Sequence, residues 1–374
     1  MRKAFKYRLF TNVNQERELA AMLETHRRLY NSCLAERKER YETKKVSVKY
    51  TQQSARFKVE RATNPYYARL NFSSAQATMR RLDRSFTAFF RRVKGGEKPG
   101  YPRFKAGDRF HSIEFPVHGD GIRLTGNRLR VQHVGTIRVK LHRPTEGTIK
   151  TLTLKREADH WYVVVSCDLG EVQITPSINP PVGIDVGLES FLTTSEGEQV
   201  ANPRYLKDAL PELRRKQRAV ARKKKGGKNR RKAVKVVAKC HARVRNLRRE
   251  HHHQVALSLT RRFGIIAVES LNVQGMLRNH RLSRAIADAG WSGFVGVLRC
   301  KAEKAGVQVV EVDPRGTSQQ CSGCGQEVSK ALSVRRHDCP YCGLVLHRDH
   351  NAALNILARG LARTGPVSDK VGVG

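Results

Sequence analysis

The sequence predicts a multidomain α/β protein whose pattern of apolar residues changes along the chain. Apolar residues first recur every three or four positions, as in helices, and then every second position between about residues 105 and 168, as in strands. Further on, short apolar strands alternate with helical segments, which is typical of an α/β layer. The length of 374 residues allows two or three domains of ~150 residues each.

The first predicted region, residues 12–94, is helical, and Asn64-Pro65 divides it into two stretches. Two apolar stripes run along these stretches at helical spacing. We interpret both stripes as surfaces that pack in a helical core. They consist of Leu19, Met22, Leu23, Leu29, Tyr30, Cys33 and Leu34, and of Ala75, Met79, Leu82, Phe86, Phe89 and Phe90.

A small antiparallel sheet or barrel is predicted for about residues 105–168, after turns at Gly95-Gly96 and Pro99–Pro102. Glycine-containing turns separate its β-favouring segments. These segments are Ile122–Leu124, Leu129–Val131, Ile137–Leu141, Ile149–Leu154 and Trp161–Val165. Arg and Lys occupy many of the alternate positions, which suits a barrel that contacts a phosphate backbone.

Pro176–Pro181 is predicted to link this region to an α/β layer. The layer opens with the apolar strand Val182–Gly187 and a hairpin through Ser195–Gly197. The later elements are a basic helical hairpin over about 203–262 turning at Gly226-Gly227, the strand Ile265–Val268, a helix around 285–305, the strand Val307–Glu311, a cysteine module and a last helix from near Asp349. The last dozen residues lack periodicity, and we expect them to be frayed.

The charge of the chain predicts a polyanionic partner. Lys and Arg number 72 and Asp and Glu 33, so the formal net charge is +39. Between Arg204 and Glu250, 20 Lys and Arg accompany only three acidic residues. A solvated helix face is the alternative for this segment, but so few interleaved acids favour phosphate contact. Nucleic acid is favoured over an anionic membrane because binding phosphates releases condensed counterions and no basic helix with a bulky apolar face stands out.

A membrane or secreted location is not predicted. No apolar run approaches the ~18 residues that a membrane span needs. The basic start, Met1–Arg8, lacks the apolar stretch of a signal peptide. We therefore expect a cytoplasmic, nucleoid-associated protein with no membrane partner.

Four of the eight cysteines predict a metal site. Cys321, Cys324, Cys339 and Cys342 follow the pattern C-x2-C-x14-C-x2-C, and a glycine after each pair permits a sharp turn. Four thiolates at this spacing are typical of a closed, tetrahedral, structural Zn²⁺ site. Two disulfides are the alternative, which an intracellular location disfavours. The other four, Cys33, Cys167, Cys240 and Cys300, are predicted to be ordinary buried side chains. His251–His253 are not predicted to share a metal, because consecutive helical residues point to different faces.

Three carboxylates stand out in this basic chain because they border apolar segments. Asp185 and Glu269 each end an apolar strand, and Asp349 lies at the start of the last helix. A carboxylate at a buried strand end is costly unless a cation compensates it. If the three converge, they form an oxygen-rich site for Mg²⁺ or Mn²⁺, and two such ions ~3.5–4 Å apart can promote phosphodiester hydrolysis. A helix cap for Asp349 and a salt bridge for Glu269 are the alternatives.

Together these motifs resemble the TnpB family of insertion-sequence-encoded, RNA-guided DNA endonucleases. The resemblance rests on Gly183-Ile-Asp185-Val-Gly187, Val268-Glu269-Ser-Leu-Asn272, Ser318–Gly325, Cys339–Gly343 and Arg348–Ile356. Tyr7–Phe10, Gly100–Lys105 and Asp288–Trp291 extend it, so that it spans essentially the whole chain. His347 departs from the pattern, because the family commonly has Asp at this position.

The resemblance implies a multidomain α/β architecture. A small antiparallel β-barrel (wedge) domain would comprise residues 1–11 and 98–178, and a helical recognition domain, 12–97, would be inserted in it. A RuvC nuclease domain of RNase H-like fold would comprise 179–313 and 345–374. A zinc-ribbon target-nucleic-acid-binding domain, 314–344, would interrupt it.

The resemblance also implies the site residues and partners. Asp185, Glu269 and Asp349 would be the catalytic, metal-binding triad, with Mg²⁺ or Mn²⁺ there and one structural Zn²⁺ on the four cysteines. A transposon-derived guide RNA would direct cleavage of double-stranded DNA next to a short transposon-adjacent motif. Candidate nucleic-acid contacts are Tyr50, Ser54, Gln76, Arg103, Arg214, Arg215, Arg222, Lys223, Lys224 and Lys225. An inert RNA-guided DNA-binding protein and an RNA-independent transposase are the alternatives.

Overall fold

The computed structural model describes residues 1–331 and 333–364, and these residues fall into two compact units, one up to Val172 and the other from Gln173. The predicted fraying of the last dozen residues falls mainly on 365–374, which lie outside the described residues. The four-domain division is finer than these two units and stays a prediction. Within the described ranges, every helix is too short or too polar to cross a membrane.

The first unit combines an antiparallel sheet with helices. Its strands are β1 (Arg2–Phe10), β2 (Ser112–Phe115), β3 (Ile122–Thr125), β4 (Arg128–Val131), β5 (Gly135–Lys140), β6 (Thr148–Glu157) and β7 (His160–Asp168). Its helices are α1 (Val13–Lys44), α2 (Tyr50–Thr63), α3 (Pro65–Ala68) and α4 (Phe72–Lys94). The strand order is β2-β6-β7-β1-β5-β4-β3. The short strand β2 was not singled out from the sequence.

The amino-terminal strand occupies the middle of this sheet. β1 pairs antiparallel with β7 on one side and β5 on the other, with Phe5 opposite Val165 and Leu9 opposite Val139. Alternate residues of β1 are buried, as the period of two requires. α1 begins at a capping box in which Asn12 accepts a hydrogen bond from the Gln15 backbone. Sheet and helices share one apolar core.

The second unit contains a five-stranded sheet. Its strands are β8 (Pro181–Val186), β9 (Ser190–Thr194), β10 (Gln199–Ala201), β11 (Ile265–Glu269) and β12 (Gln308–Val312). The order is β10-β9-β8-β11-β12, in which β8, β11 and β12 are parallel to one another and β9 and β10 form the antiparallel hairpin. A two-stranded ribbon follows, formed by β13 (Arg336–Asp338) and β14 (Val345–His347).

Helices cover both faces of this sheet. They are α5 (Tyr205–Ala221), α6 (Lys228–Arg262), α7 (Val273–Met276), α8 (Ser283–Ala289), α9 (Trp291–Ala305) and α10 (Arg348–Thr364). α6 and α9 share one apolar core with β8, β9 and β11, whereas Ile356 of α10 packs against Ala267 and Val312. The helix predicted around 285–305 is therefore two helices. They are separated at Gly290, whose φ of +67° favours glycine.

Two predictions about burial are wrong. Cys33, Cys167 and Cys240 are buried, but Cys300 is exposed on α9. The stripe on α4 is buried from Ala75 to Leu82, but its last residue, Phe90, is exposed. Helical periodicity identifies the apolar face of a helix, but it does not reveal how far along that face a neighbouring element extends.

Candidate active site

Parallel pairing of β8 and β11 brings two of the predicted carboxylates to one edge of the sheet. Ile184 lies opposite Val268, and Asp185 and Glu269 are the next residues along the two strands. Carboxyl ends of parallel strands form the edge where ligands of α/β folds usually bind. The apolar residues on these strands are buried, so the chain holds both carboxylates at the border of the core.

Close packing of α10 on the sheet brings Asp349 to the same edge. A Cβ added at Gly183 would lie 2.1 Å from the Ala353 carbonyl oxygen, so only glycine lets this helix approach β8. Gly360 plays the same role towards Ala267 of β11, where an added Cβ would lie 2.4 Å from the alanine Cβ. Asp349 is buried in the first turn of α10.

Burial and like charges strain the Asp185 carboxylate. Burial is the largest cause that raises its pKa well above the ordinary value, and the charges of Glu269 and Asp349 raise it further. Arg348 and Arg335 act in the opposite direction. Mutual repulsion among three carboxylates is the electrostatic condition that a bound cation relieves.

Glu269 is held by a hydroxyl. Thr317 Oγ1 donates to Glu269 Oε1 at 2.5 Å, and Thr317 itself is buried. Burial raises the pKa of Glu269, while the hydrogen bond from Thr317 and the charge of Arg359 lower it. Among the described residues this hydrogen bond, and no salt bridge, is the direct side-chain contact of Glu269, for which a salt bridge was the alternative.

Asp349 lies beside a cation from the ribbon. The Arg335 guanidinium is 3.6 Å from the Asp349 carboxylate and 2.8 Å from Glu189. The Asp349 backbone N–H donates to His347 Nδ1 at 3.3 Å. His347, which stands where the family commonly has Asp, therefore accepts a backbone hydrogen bond at the start of α10. The Asp349 side chain does not have to fill this capping role.

The three carboxylates are not a tight cluster. Among residues 1–331 and 333–364, only the four ribbon cysteines bring three or more candidate ligand atoms within 4.8 Å of one another. Two divalent ions ~3.5–4 Å apart, each bound to oxygens at ~2.0–2.1 Å, can connect carboxylates that are further apart than this. An all-oxygen donor set is the kind that hard cations such as Mg²⁺ prefer, and binding of such ions by these three residues stays a prediction.

A cleft makes Glu269 accessible. The cleft has a volume of about 270 Å³ and runs between the end of β11 and α9. Its lining combines apolar side chains with a charged rim and includes Val186, Glu269, Leu271, Val273, Trp291, Val295, Arg299 and Glu311. Arg299 and Glu311 pair across this rim.

Amide side chains of α10 fix the segment that carries Thr317. Asn355 Nδ2 donates to the carbonyl oxygens of Thr317 and Gln320, at 2.9 and 2.7 Å. One helical turn earlier, Asn351 donates to the Gln320 carbonyl and accepts from the Ser322 N–H, at 2.8 and 2.9 Å. Ser322 follows the first ribbon cysteine, so a continuous set of hydrogen bonds connects the cysteine cluster with Glu269.

The four ribbon cysteines converge as predicted. The Sγ atoms of Cys321 and Cys342 are 3.6 Å apart, as are those of Cys324 and Cys339, and all four lie within 4.8 Å. Tetrahedral Zn²⁺ with Zn–S bonds of ~2.3 Å requires S···S distances of ~3.8 Å. The donor set and its spacing therefore fit this ion.

Glycine turns aim backbone N–H groups at these sulfurs. Gly325 and Gly343 have φ values of +77° and +72°, which supports the turn predicted after each cysteine pair. Although burial raises the pKa of the Cys339 thiol, N–H groups of Cys342 and Tyr341 and neighbouring thiols lower it to about 7. These contacts favour the thiolate of Cys339, the form that a metal binds. For Cys342, the Leu344 N–H lowers the pKa, but burial and hydrogen bonds with the other three thiols raise it to about 12.

The basic helical hairpin is a candidate nucleic-acid surface of the second unit. α5 and α6 turn through Gly226-Gly227, and the predicted contacts Arg214, Arg215 and Arg222–Lys225 are all exposed. Asp288 anchors the hairpin, because it accepts from the Leu206 and Lys207 N–H groups and pairs with Arg248 at 2.8 Å. Phosphate contact by the exposed cations stays a prediction.

Three predicted contacts of the first unit lie together where α2 packs against α4. Gln76 Nε2 donates to Ser54 Oγ at 3.1 Å, and the Arg80 guanidinium lies 5.1 Å from the centre of the Tyr50 ring. Arg103, by contrast, is exposed in the segment between α4 and β2. Contact of any of these residues with nucleic acid stays a prediction.

The histidine run packs against the sheet. His252 is buried, stacks on Phe191 and has Nε2 2.9 Å from the Ala289 carbonyl oxygen. His251 contacts the same Phe191 ring edge-on, at 4.8 Å between centroids.

Sequence reasoning missed Thr317 and Arg335 at the carboxylate site. Their partners are distant in sequence, and neither residue type is diagnostic by itself. Thr317 did carry a signal, because it directly precedes the Ser318–Cys321 motif.

Three family models match separate parts of the chain. Residues 164–280 match a family described as "Probable transposase", residues 291–356 match "Cas12f1-like, TNB domain", and residues 1–45 match "Helix-turn-helix domain". Residues 1–45 form β1 and one continuous helix in this structure, rather than two helices joined by a turn.

A relative from Streptomyces pristinaespiralis matches nearly the whole chain. It is 31% identical over 369 residues, which cover 97% of this chain and 90% of the relative, and it is named "Putative RNA-guided DNA endonuclease". The chain belongs to the TnpB family. A second relative of this TnpB-family protein, "Putative RNA-guided DNA endonuclease InsQ" of Escherichia coli (strain K12), is 28% identical and covers 96% of this chain and 92% of the relative.

One solved structure shows that the mixed α/β fold of this TnpB-family protein has precedent. It is titled "Structure of the mini-RNA-guided endonuclease CRISPR-Cas_phi3". The TM-score is 0.51 at 11% identity, over 96% of this chain and 92% of that chain. This similarity concerns the fold alone.

Proposed function

We propose that this TnpB-family protein is an RNA-guided DNA endonuclease. It binds a transposon-derived guide RNA, recognises double-stranded DNA next to a short transposon-adjacent motif, and cleaves that DNA by metal-dependent hydrolysis. The observation that carries the proposal is that Asp185, Glu269 and Asp349 lie at one sheet edge of a chain with net charge +39. The names of the two relatives support the RNA-guided reaction.

The strand order of the second unit supports a RuvC nuclease domain of RNase H-like fold. In that fold the first strand pairs antiparallel with the second strand, which forms a hairpin with the third, and pairs in parallel with a later strand, as β8 pairs with β9 and with β11. We assign residues 179–313 and 345–374 to this domain and 314–344 to a zinc-ribbon domain. Residues 1–11 and 98–178 form the wedge domain, and 12–97 form the helical recognition domain.

The chain's own residues have distinct roles in the proposed reaction. Asp185, Glu269 and Asp349 would hold Mg²⁺ or Mn²⁺, which when bound supplies Lewis-acid activation of water and charge stabilisation at the scissile phosphate. Thr317 orients the Glu269 carboxylate through its hydroxyl. Arg335 offsets the negative charge of Asp349 and keeps a guanidinium at the edge where a phosphate would arrive.

The ribbon supports this site. One Zn²⁺ would be bound by Cys321, Cys324, Cys339 and Cys342. Because four thiolates leave no open ligand position, this ion would have a structural role and stabilise the ribbon. The hydrogen bonds from Ser322 through Asn351 and Asn355 to Thr317 then transmit the ribbon's order to Glu269. The zinc therefore has a structural role with a consequence for the active site.

Nucleic acid would be bound by surfaces of both units. The exposed cations of the α5–α6 turn suit a phosphate backbone. Tyr50, Ser54 and Gln76 are assigned to the duplex next to the target, and Arg103 to phosphate contact. Base pairing with the guide supplies most of the sequence specificity, while protein contacts position the backbones.

The decisive experiment is to purify the protein from cells that carry its genetic locus and to sequence the RNA that accompanies it. The expected result is one discrete RNA that directs Mg²⁺-dependent cleavage of DNA. Replacing the guide segment of this RNA should redirect the cleavage to a new target. Guided binding without cleavage would indicate an inert DNA-binding protein. DNA breakage without any RNA would indicate an RNA-independent transposase, and either outcome overturns the proposal.

A further inference from the structure

An exposed aromatic cluster in the first unit has no role in the function proposed above. Its rings are Tyr41 of α1, Phe86, Phe89 and Phe90 of α4, and Tyr101 from the segment after α4. We call this set the α4 aromatic cluster. Tyr41, Phe90 and Tyr101 are 57%, 54% and 44% exposed, although large aromatic rings are normally buried.

Three ring contacts of the cluster are edge to face, and a fourth, between Phe86 and Phe90, is stacked, with centroids 6.3 Å apart and an interplanar angle of 29°. Phe89 lies 5.4 Å from Tyr101 and 5.2 Å from Phe90, and Phe86 lies 5.6 Å from Tyr101, with interplanar angles between 68° and 89°. An edge-to-face contact covers part of one ring's face and leaves the faces of the other ring open. The exposed parts of Tyr41, Phe90 and Tyr101 are the ring surface that the cluster offers to a planar ligand.

Two prolines flank the segment that carries the Tyr101 ring. It belongs to Pro99-Gly100-Tyr101-Pro102, in which two prolines restrict the backbone and the residue before a proline favours an extended conformation. Less conformational entropy is lost when a ligand orders such a ring.

Cations surround the cluster. Residues 84–109 contain eight Lys and Arg but only Glu97 and Asp108 as acids. Lys45 Nζ lies 5.6 Å from the centre of the Tyr41 ring. The Arg37 guanidinium, 5.1 Å from the centre of the Phe86 ring, is buried and paired with Asp83 at 3.0 Å, so the exposed cations are the ones that a phosphate can reach. Protein–protein interfaces are depleted of lysine at their centres, whereas single-stranded nucleic-acid sites combine aromatic rings with basic side chains.

We propose that the α4 aromatic cluster is a stacking site for unpaired nucleotides of the bound RNA. The inference rests on the proposed function, in which RNA stays bound while DNA comes and goes. An open aromatic patch of this kind promotes aggregation unless a lasting partner covers it. The bases stack on the rings, and the surrounding cations neutralise the phosphates.

The test measures the affinity of RNA-free full-length protein for the co-purified RNA at several salt concentrations. Phe90→Leu, which keeps an apolar side chain but removes the ring, and Tyr101→Ala should each weaken binding by between about 5-fold and about 100-fold. Neither should change the salt slope, because no phosphate contact is lost. Arg91→Gln should reduce the slope instead.

Matched variants separate stacking from misfolding. Tyr101→Phe keeps the ring and should bind RNA as the unaltered protein does. Tyr66→Ala removes an exposed ring from α3 of the same unit and should also leave binding unchanged. Melting temperatures of all variants should agree within a few degrees, because about half or more of each altered ring is exposed.

Three results would overturn the inference. Normal RNA binding by Phe90→Leu and Tyr101→Ala, with a loss of affinity for single-stranded DNA, would identify a displaced DNA strand as the occupant. Conversion of an RNA-free oligomer to a monomer in both variants, with RNA affinity unchanged, would identify a second copy of the chain. Normal behaviour of both variants in all assays would leave the cluster without this role. If no RNA co-purifies at all, the proposed function fails as well, so the two failures are distinguishable.

Discussion

Replacing Thr317 with valine tests how the carboxylate site is positioned. Valine has nearly the same shape as threonine but lacks the hydroxyl that donates to Glu269 at 2.5 Å. Thr317 is only 1% exposed, so no water can take the place of that hydroxyl without rearrangement. The variant should fold normally and bind the guide RNA and the target DNA as before.

The magnitude follows from the type of hydrogen bond that is lost. A hydrogen bond to a charged group contributes ~1.5–3 kcal/mol. If this contribution is lost fully in the transition state, the cleavage rate falls by between about 10-fold and about 150-fold. A less well oriented Glu269 should also raise the Mg²⁺ concentration needed for half-maximal rate.

Single-turnover cleavage at saturating guide RNA, followed across a Mg²⁺ titration, measures both effects. Thr317→Ser keeps the hydroxyl and should cleave within about threefold of the unaltered protein. Equal rates for Thr317→Val and the unaltered protein would show that the hydroxyl has no part in positioning Glu269. Equal defects in the valine and serine variants would show that the threonine methyl group, and not the hydroxyl, matters.

Four residues of the second unit allow further tests of how the fold and site are built. Gly360→Ala forces a methyl group against β11 and should lower the free energy of unfolding, measured in denaturant titrations, by ~1–3 kcal/mol. Gly296→Ala is the matched control, because an added Cβ there meets nothing within 4 Å, and it should raise the free energy of unfolding by ~0.5–1 kcal/mol. Because the pKa of Asp185 is raised in the folded protein, its charged form opposes folding above the ordinary carboxyl pKa of ~4. In Mg²⁺-free buffer at pH 7, Asp185→Asn should therefore raise the melting temperature by about 3 °C or more. This gain should vanish as the pH falls to 4, where the carboxyl group is protonated in both states. Cys324→Ser should lower the melting temperature of the zinc-loaded protein by about 5 °C or more, and an unchanged value would argue against a folding role for the ribbon metal.

Much of the second unit could be predicted from the sequence because its signals are local. Runs of apolar residues with glycine punctuation indicated β8 and β11, and a carboxylate at the end of each strand indicated a site at their common edge. Cysteine spacing indicated the ribbon, whose four sulfurs do converge. The assignment of the three carboxylates as catalytic metal ligands stays a prediction.

The contacts that position the site could not be predicted in the same way. Thr317 and Glu269 are 48 residues apart, and their hydrogen bond exists only because α10 holds the segment between β12 and the ribbon. Arg335 reaches Asp349 from the ribbon, which no spacing rule relates to the sheet. Similarly, the periodicity of α4 predicted a helix but could not show that Phe90 lies beyond the elements that cover it.

The most direct test of the account is to replace each carboxylate by its amide in the purified protein–RNA complex and to measure target binding and cleavage side by side. Asp185→Asn, Glu269→Gln and Asp349→Asn should each reduce Mg²⁺-dependent cleavage by about 1000-fold or more, as loss of a metal ligand requires, while target affinity changes by less than about threefold. Near-normal cleavage in any one of these variants would contradict a shared metal site.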